Sequence, residues 1–352
     1  MPSGPNPLAN TDWVASLSPW PADGFGLERI RALLGRLGDP QGAYRAVHVV
    51  GTNGKSTATR TIAAMLAADG LSVGAYTSPH VAGWHERLGT DPAGLERAVA
   101  RVRAGAEAVG ATQFETLTAA ALADFAARGV DAAVVEAGLG GRHDATNVLD
   151  AEVVLLTNVG LEHTEVLGET REAIAREKLA VAGARALVVL PDDEWGGLVE
   201  RHVVGGAPEA AEAFLGHPPR QVEVSLPGRL ERRGSELWDG AHNPDGARWL
   251  AAHAEAADAI VCSILADKDT DAMLAAFATL APRLVATQSS NERVLPAAEL
   301  AERARAHFAE VEVVTEPAAA LARAHELGDS IIVTGSLYLL ADLERWPTPA
   351  TA

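Results

Sequence analysis

The sequence predicts an α/β protein with two domains, each built around a largely parallel β-sheet. Strand-like β-branched runs alternate with helix-like amphipathic segments along most of the chain, which is the pattern of parallel strands joined by crossover helices. Several polar motifs follow directly after predicted strands. Ligands of such sheets bind beyond the carboxyl ends of the strands, so these motifs are candidate site residues.

The first half of the chain contains the longer of the two alternating series. Residues 1–20 carry Pro, Ser and Asn without a clear period, so we expect a loosely docked lead-in. Strands are predicted at 46–50, 73–76, 132–135 and 153–157, and helices at 26–37, 55–66, 95–109, 116–127 and 170–182.

The second half forms a smaller series of the same kind. Residues 205–219 are rich in Gly, Ala, Pro and Glu, which predicts a hinge or linker. Strands are then expected at 259–263, 283–286, 311–314 and 331–333, with helices at 270–280, 296–309 and 318–326. We therefore divide the chain into a first domain, 1–217, and a smaller Rossmann-like C-terminal domain, 218–352.

Composition narrows the possible partners. The 352 residues carry a formal charge of −18, which argues against nonspecific binding to nucleic acid or an anionic membrane. The single cysteine, Cys262, lies in a predicted buried strand, where a core thiol is expected rather than a nucleophile. No secretory signal or apolar membrane span is seen, so we expect a cytoplasmic protein.

The strand at 46–50 leads into the segment that predicts most about function. A Gly-rich turn follows it, and a helix then opens with Lys and two hydroxyl residues. This arrangement is typical of a P-loop-type ATPase domain, because backbone N–H groups, the helix N-terminus and the Lys all meet phosphate. The hydroxyl after the Lys is placed to bind Mg²⁺. The predicted ATP-binding residues are Thr52, Asn53, Gly54, Lys55, Ser56 and Thr57.

Four further groups fit the same chemistry. Ser78, in a turn after the second strand, offers a hydroxyl to a metal ion, and Glu136, at the end of the third, offers the carboxylate that Mg²⁺ prefers. His163 follows the fourth strand, where an imidazole can complete a metal shell or orient substrate. Lys178 lies beside Glu177 in a predicted helix, where a solvated charge pair is the simpler interpretation from sequence alone.

Taken together, these motifs resemble the folylpolyglutamate synthase/dihydrofolate synthase branch of the Mur ligase superfamily. The motifs are spread over almost the whole chain and occur in the same order as in that family. The matching strings are 26–30, 51–56, 77–80, 114–115, 117–118, 136–147, 157–158, 162–163, 177–178, 227–229, 239–244, 267–269 and 333–338. The resemblance implies the Mur ligase architecture of the two domains.

The resemblance also implies roles for individual residues. Ser78, Glu136 and His163 match positions that bind Mg²⁺, and Lys178 matches a Lys that is carbamylated in many members and helps to hold a second Mg²⁺. Carbamylation requires the neutral amine, so it depends on burial of Lys178. In the C-terminal domain, three residues match nucleotide-contacting or cleft-lining positions: Arg229, Asp239 and His242.

The activity implied is an ATP-dependent amide ligation. ATP converts a carboxylate into an acyl phosphate, while Lys55 and two Mg²⁺ ions neutralise the developing charge, and the amine of L-glutamate then displaces phosphate. The acceptor carboxylate is that of dihydropteroate, of a reduced folate, or of both. Lys55, Lys178 and His163 are the predicted catalytic residues, and the family resemblance favours a monomer.

Two departures from the family pattern keep other hypotheses open. Ser56 stands where this branch carries a second Gly, and the stretch between Lys178 and Arg229 is short and lacks a counterpart of the family's adenine-contacting Asn. One alternative is therefore a Mur-type ligase for another carboxylate and amine. The other is a module that binds ATP without ligation.

Overall fold

The computed structural model describes residues 9–21, 24–81 and 83–345 of the chain. These residues form two compact units. The first contains the chain up to Pro79 and Trp84–Val224, and the second contains His80–Gly83 and the chain from Ser225 onwards.

The first unit is built on a six-stranded parallel sheet. Its strands lie in the order β2-β3-β1-β4-β5-β6, so β1 is flanked by β3 and β4. Because every neighbouring pair is parallel, the carboxyl ends of β3, β1 and β4 meet at one edge of the sheet. The strands are β1 Arg45–Val50, β2 Val73–Tyr76, β3 Ala132–Glu136, β4 Val153–Leu156, β5 Leu187–Leu190 and β6 His202–Val204.

Helices cover both faces of this sheet. The strands are apolar on both sides, as expected when each face is buried. One face packs against α3 and α8, and the other packs against a larger group that includes α2, α4, α5 and α7. The helices are α1 Ala9–Ser16, α2 Glu28–Arg36, α3 Lys55–Ala68, α4 Pro92–Val109, α5 Gln113–Arg128, α6 Thr164–Leu167, α7 Arg171–Leu179 and α8 Ala207–Leu215.

The second unit has its own six-stranded sheet, in the order β11-β10-β9-β12-β8-β7. Its neighbouring strands pair in parallel except for β7 with β8, which form an antiparallel hairpin at one edge. The strands are β7 Glu231–Arg233, β8 Glu236–Trp238, β9 Ala259–Cys262, β10 Arg283–Ala286, β11 Glu310–Val313 and β12 Ile331–Thr334. The helices are α9 Pro244–His253, α10 Thr270–Phe277, α11 Ala297–Ala304, α12 Pro317–Leu327 and α13 Leu337–Arg345.

The predicted fold class is confirmed, and most predicted elements are present within a few residues of their expected bounds. The helix predicted at 26–37 is present as α2, and its apolar residues Ile30, Leu33 and Leu34 are fully buried. Cys262 is completely buried in β9, and burial raises the pKa of its thiol, which suits a core residue.

Two expectations about irregular structure were wrong. The lead-in contains α1, and Val14 within it is buried in the core of the first unit; residues 1–8 lie outside the described residues. The expected linker contains α8, which buries Phe214 against the sheet. Its Gly and Pro residues mark helix ends rather than a hinge: Pro208 occupies the first turn and Gly216 has the left-handed conformation that ends the helix (φ 81°).

Seven further elements named above, all within the described residues, were not predicted at all. Strands β5, β6, β7 and β8 and helix α6 are only three or four residues long, and helices α9 and α13 are the other two. Helix α9 begins at a Pro, as helices commonly do. Among the described residues, no helix combines the length and the apolar character needed to cross a membrane.

Candidate active site

The candidate site of the first unit lies at the carboxyl ends of three adjacent strands. The P-loop follows β1, Glu136 is the last residue of β3, and the segment 157–163 follows β4. The sheet order therefore brings the P-loop together with residues far away in sequence: Ser56 and Glu136 are 80 residues apart, and Asn53 and Asn158 are 105 residues apart. This is the edge at which parallel α/β sheets bind ligands.

Two glycines give the P-loop its shape. Gly51 has φ +149°, and a Cβ there would lie 1.9 Å from Oγ1 of Thr157, so no side chain fits without displacing that residue. Gly54 has φ +78° and is the residue immediately before α3. The N–H groups of the first turn of a helix lack partners within the helix, so Lys55, Ser56 and Thr57 present their amides at the loop.

The segment after β4 holds the P-loop from the side. The carbonyl oxygen of Asn158 accepts a hydrogen bond from Thr52 N (3.1 Å), and its Oδ1 accepts one from Asn53 N (2.9 Å). The Thr157 hydroxyl donates to the carbonyl of Asn53 (2.6 Å), and Gly160 N donates to Oγ1 of Thr52 (3.0 Å). Sequence reasoning noted residues 157–158 as a motif but missed this supporting role. The sequence signal for this role is the pair of short polar residues, Thr157 and Asn158, at the end of a buried strand.

The Glu136 carboxylate joins the P-loop to the turn after β2. Ser56 Oγ donates to Glu136 Oε1 and Ser78 N donates to Glu136 Oε2, each at 3.0 Å. The Glu136 residue is only 2% exposed. Two of the predicted metal ligands, Ser78 and Glu136, are thus brought together with the P-loop hydroxyl. Carboxylate and hydroxyl oxygens form a donor set that suits a hard cation such as Mg²⁺.

Lys178 is a buried lysine beneath the P-loop. Its Nζ donates to the carbonyl oxygen of Gly51 (2.8 Å), while Lys55 Nζ donates to that of Thr52 (3.1 Å). Burial, assisted by the charge of Lys55, lowers the pKa of Lys178 to about 7, although three nearby carboxylates act in the opposite direction. The solvated charge pair that sequence alone favoured is therefore not what the structure contains. The uncharged amine of Lys178 is therefore accessible near neutral pH.

His163 begins the short helix α6. It has a left-handed backbone conformation (φ +52°), which is uncommon for a residue with a Cβ. Its ring nitrogens lie 3.8 Å from a Glu162 carboxylate oxygen and 3.9 Å from one of Glu165. Within the described ranges, no three His, Cys, Asp or Glu side chains are grouped as a metal cluster. The assignment of His163 to the metal shell stays a prediction.

Three of the predicted residues, Arg229, Asp239 and His242, lie in the second unit, around the turn after β8. Asp239 is buried, and its two carboxylate oxygens accept from Leu230 N and Ala241 N, each at 2.9 Å. Burial raises the pKa of Asp239, against the opposing effect of these amides and of Arg229.

The other two side chains bond to neighbouring carbonyls. Arg229 Nη1 donates to Gly228 O (2.9 Å), and His242 Nδ1 lies 2.8 Å from Gly240 O. A carbonyl can only accept, so this imidazole carries a proton on Nδ1. The roles of all three residues at a nucleotide stay predictions.

Family models match both units of the chain. The model of the Mur ligase middle domain matches residues 49–203, and that of the Mur ligase glutamate ligase domain matches residues 228–337. The dihydrofolate synthase/folylpolyglutamate synthase of Mycobacterium tuberculosis is 32% identical over 408 aligned positions, which cover 88% of this chain and 82% of that protein.

The chain belongs to the dihydrofolate synthase/folylpolyglutamate synthase family.

Solved structures of the dihydrofolate synthase/folylpolyglutamate synthase family have the same fold. Escherichia coli FolC in complex with DHPP and ADP superposes with a TM-score of 0.85 at 25% identity, over 98% of each chain. A bifunctional folylpolyglutamate synthase/dihydrofolate synthase with Mn, AMPPNP and L-glutamate bound gives a TM-score of 0.84 at 27% identity, also over 98% of each chain. The resemblance inferred from the motifs is thereby confirmed.

Proposed function

We propose that this protein is an ATP- and Mg²⁺-dependent ligase that joins L-glutamate to the carboxylate of dihydropteroate, of a reduced folate, or of both. The observation that carries the proposal is the Glu136 carboxylate, which is hydrogen-bonded to the P-loop residue Ser56 and to Ser78 at the edge of the sheet. Membership of the folylpolyglutamate synthase family supports the substrates, because relatives have been solved with ADP and DHPP and with L-glutamate.

The residues of the site have distinct parts in this reaction. The amides at the start of α3 and the Lys55 ammonium bind and orient the phosphates, which places the terminal phosphorus for attack by the acceptor carboxylate. The attack forms an acyl phosphate and releases ADP. The neutral amine of glutamate then attacks the acyl carbon, inorganic phosphate leaves with the bonding electrons, and the nitrogen loses one proton to solvent.

Glu136, Ser56 and Ser78 would hold a divalent cation. When bound, Mg²⁺ would neutralise the negative charge that develops on the phosphate oxygens. A relative has been solved with Mn and AMPPNP, which supports a metal at the nucleotide. Two ions, with His163 in one shell, are the arrangement we propose, in keeping with the sequence-based expectation.

Carbamylation of Lys178 is part of the proposal. A neutral amine is the form that reacts with CO₂, and the low pKa of Lys178 makes that form available at neutral pH. The product is a carbamate, formed with loss of one proton from the nitrogen. Its negative charge would lie beside Lys55 and next to the P-loop, where it can attract a second cation.

Several expectations have no support beyond sequence and stay predictions. These are residence in the cytoplasm, the monomeric state, and the nucleotide contacts of Arg229, Asp239 and His242. The domain boundary at 217–218 is also a prediction.

The first experiment is ADP release by the purified protein with ATP, Mg²⁺ and L-glutamate. Dihydropteroate and tetrahydrofolate are offered separately, and the product masses are recorded. Turnover with dihydropteroate alone identifies a dihydrofolate synthase, and turnover with both identifies a bifunctional enzyme. A protein that binds ATP but ligates neither acceptor would contradict the proposal in favour of another Mur-type substrate or a non-catalytic module.

Replacement of Lys55 tests the assignment of the P-loop. We expect Lys55→Ala to lower kcat by roughly 100-fold or more, because a preorganised positive charge at the transferred phosphate is lost. Arg176→Ala is the matched control, since it removes an exposed cation of α7 that pairs with Glu172. Near-normal turnover by Lys55→Ala would show that the P-loop assignment is wrong.

A further inference from the structure

A buried histidine lies in the central strand of the first sheet. His48 is fully buried in β1, between valines, and no sequence-based role was assigned to it. Its Nε2 lies 2.8 Å from Oγ1 of Thr146, and Nδ1 has no hydrogen-bond partner among the described residues. An apolar side chain would fill this position without the cost of burying an imidazole. The single polar contact of the ring therefore requires an explanation.

The contact continues to a buried carboxylate. The Thr146 hydroxyl is 2.5 Å from Asp144 Oδ1, and the same oxygen accepts from Thr146 N (3.0 Å). The other oxygen accepts from Leu139 N (2.8 Å), so the carboxylate is surrounded by donors. Burial raises the pKa of Asp144, but these hydrogen bonds and one from Gly138 N oppose that rise.

The directions of these hydrogen bonds determine the tautomer of His48. The backbone N–H groups that donate to Asp144 favour its ionised form, which can only accept, so the single proton of the Thr146 hydroxyl is donated to it. Towards His48 the hydroxyl can therefore only accept, so the ring must carry its proton on Nε2. Burial also lowers the pKa of His48 to about 4, which leaves the ring neutral at pH 7. The result is a one-way chain of hydrogen bonds from His48 through Thr146 to Asp144.

Asp144 in turn folds the Gly-rich segment 137–141. Its bonds to Gly138 N and Leu139 N fix the backbone directly after Glu136. The other end of the segment packs on α7, because a Cβ on Gly141 would lie only 2.5 Å from the carbonyl oxygen of Lys178. Arg142 N also donates to Glu177 O (3.0 Å). The segment thus connects the backbone of Glu136 to that of Lys178.

We propose that His48 is a positioning residue, whose Nε2–H orients Thr146 and Asp144 so that the Gly-rich segment holds Glu136 and Lys178 in register at the site. This inference rests on the proposed function, since the two residues it positions are those assigned to metal and phosphate chemistry. His48 itself does not touch the reacting atoms. At saturating Mg²⁺ its effect is expected on kcat rather than on nucleotide affinity, because the P-loop is held separately by residues 157–160.

The tautomer is tested by NMR on the protein labelled with ¹⁵N-histidine. The chain contains 11 histidines, and the signal absent from His48→Gln identifies the ring of interest. We expect a neutral ring with the proton on Nε2 at pH 7. A proton on Nδ1, or a charged ring, would overturn the proposal whether or not the enzyme turns over.

The positioning role is tested by two pairs of variants. His48→Leu and Thr146→Val break the chain, and we expect kcat to fall roughly 10- to 100-fold, the cost of a small misplacement of catalytic groups. At saturating Mg²⁺, where a weakened metal site is still filled, the dissociation constant of AMPPNP should change by less than about threefold. His48→Gln keeps a donor near the position of Nε2 and Thr146→Ser keeps the hydroxyl, so both should retain kcat to within about threefold.

Thr116→Val is the matched control for loss of a buried hydroxyl. Thr116 is fully buried in α5, and its Oγ1 has no partner in the described part of the chain, so turnover should be unchanged. Wild-type kcat in folded His48→Leu and Thr146→Val would overturn the proposal, as would equal losses in the breaking and conservative variants. If His48→Leu does not fold, the proposal is tested by comparing kcat of Thr146→Val with that of Thr146→Ser and by the tautomer that NMR measures. A wild-type protein without ligase activity would contradict the proposed function, while the tautomer would still be measured independently.

Discussion

At the scale of single residues, Glu136 connects separate segments of the site. It ends a fully buried strand, and its two oxygens bond to groups from two other segments of the chain. A buried carboxylate is stable only when it is hydrogen-bonded or paired with a cation. These bonds fix the carboxylate between the P-loop and the turn after β2, where the hydroxyls of Ser56 and Ser78 could join it at a metal ion.

Replacement of Glu136 by Gln keeps the size of the side chain and removes its charge. Loss of this ligand should raise the Mg²⁺ concentration needed for half-maximal ADP release by roughly 10- to 100-fold. Glu172→Gln, at an exposed position of α7, is the control. A Mg²⁺ titration that is the same for Glu136→Gln and the wild type would remove Glu136 from the metal site.

Lys178 predicts a specific dependence of stability on pH. Its pKa in the folded protein is about 7, below its ordinary value of 10.5, so between these values the unfolded chain binds the proton that the folded protein has released. The free energy of unfolding should therefore rise with pH, by about 1.4 kcal/mol per pH unit across this window, relative to Lys178→Met. Below pH 7 Lys178 is charged in both the folded and the unfolded state, so the free energy of unfolding is lowered by the full cost of burying that charge.

The measurement is denaturant unfolding of wild type and Lys178→Met between pH 7 and 10 in buffer free of bicarbonate. Other titrating groups are common to both proteins and cancel in the difference. A difference that does not vary with pH would mean that Lys178 is solvated in the folded protein. Lys178→Met should also lack ligase activity at every pH tested.

At the scale of secondary structure elements, α8 shows how a helix can be mistaken for a linker. Its sequence is flanked by glycines and contains a Pro, which are the residues of loops. The same residues are common at helix termini, and only the burial of Ala210, Ala211 and Phe214 distinguishes the two cases.

Phe214→Ala tests whether α8 is part of the core. Phe214 is 2% exposed and also packs under the Arg45 guanidinium, 4.0 Å from the ring centre. The substitution should lower the free energy of unfolding by about 3–5 kcal/mol, as for other buried phenylalanines. Phe25→Ala, at a residue 46% exposed, should cost much less and serves as the control. Equal small effects of the two substitutions would support the linker interpretation.

The sequence predicted those features that local chemistry determines. The strand, Gly turn and helix at 47–66 were predicted because β-branched residues, glycines and Lys55 each favour one local structure. Ser78 and Glu136 could be predicted to meet because both follow strands of one parallel sheet. The contact of His48 with Thr146 could not be predicted, because the two residues are 98 positions apart. The Thr146 hydroxyl points to the strand only once the Gly-rich segment has folded.

At the scale of the whole molecule, each unit has its own sheet and its own buried apolar clusters. The proposed phosphate-binding P-loop belongs entirely to the first of them. The formal charge of −18 adds a general repulsion of anionic nucleotides, which only local positive groups can overcome. Lys55 and a divalent cation are therefore expected to contribute most of the nucleotide affinity.

Thermal unfolding in the presence of ligand tests this expectation. AMPPNP with Mg²⁺ at 100 times its dissociation constant should stabilise the wild type by about 2.7 kcal/mol. AMPPNP with EDTA should give a much smaller effect, and Lys55→Ala should give almost none at the same concentrations. Equal stabilisation with and without Mg²⁺ would contradict a shared role of cation and Lys55 in binding.

The support of the P-loop by the segment after β4 has a consequence for the thermodynamics of nucleotide binding. Four hydrogen bonds from residues 157–160 hold Thr52 and Asn53. Ordering the backbone of one residue costs about 1–2 kcal/mol at 25 °C, and a loop that is already ordered spares an incoming ligand that loss of entropy. Nucleotide binding should consequently show a smaller entropic penalty in the wild type than in a variant without the Thr157 hydroxyl, and calorimetry can measure the difference.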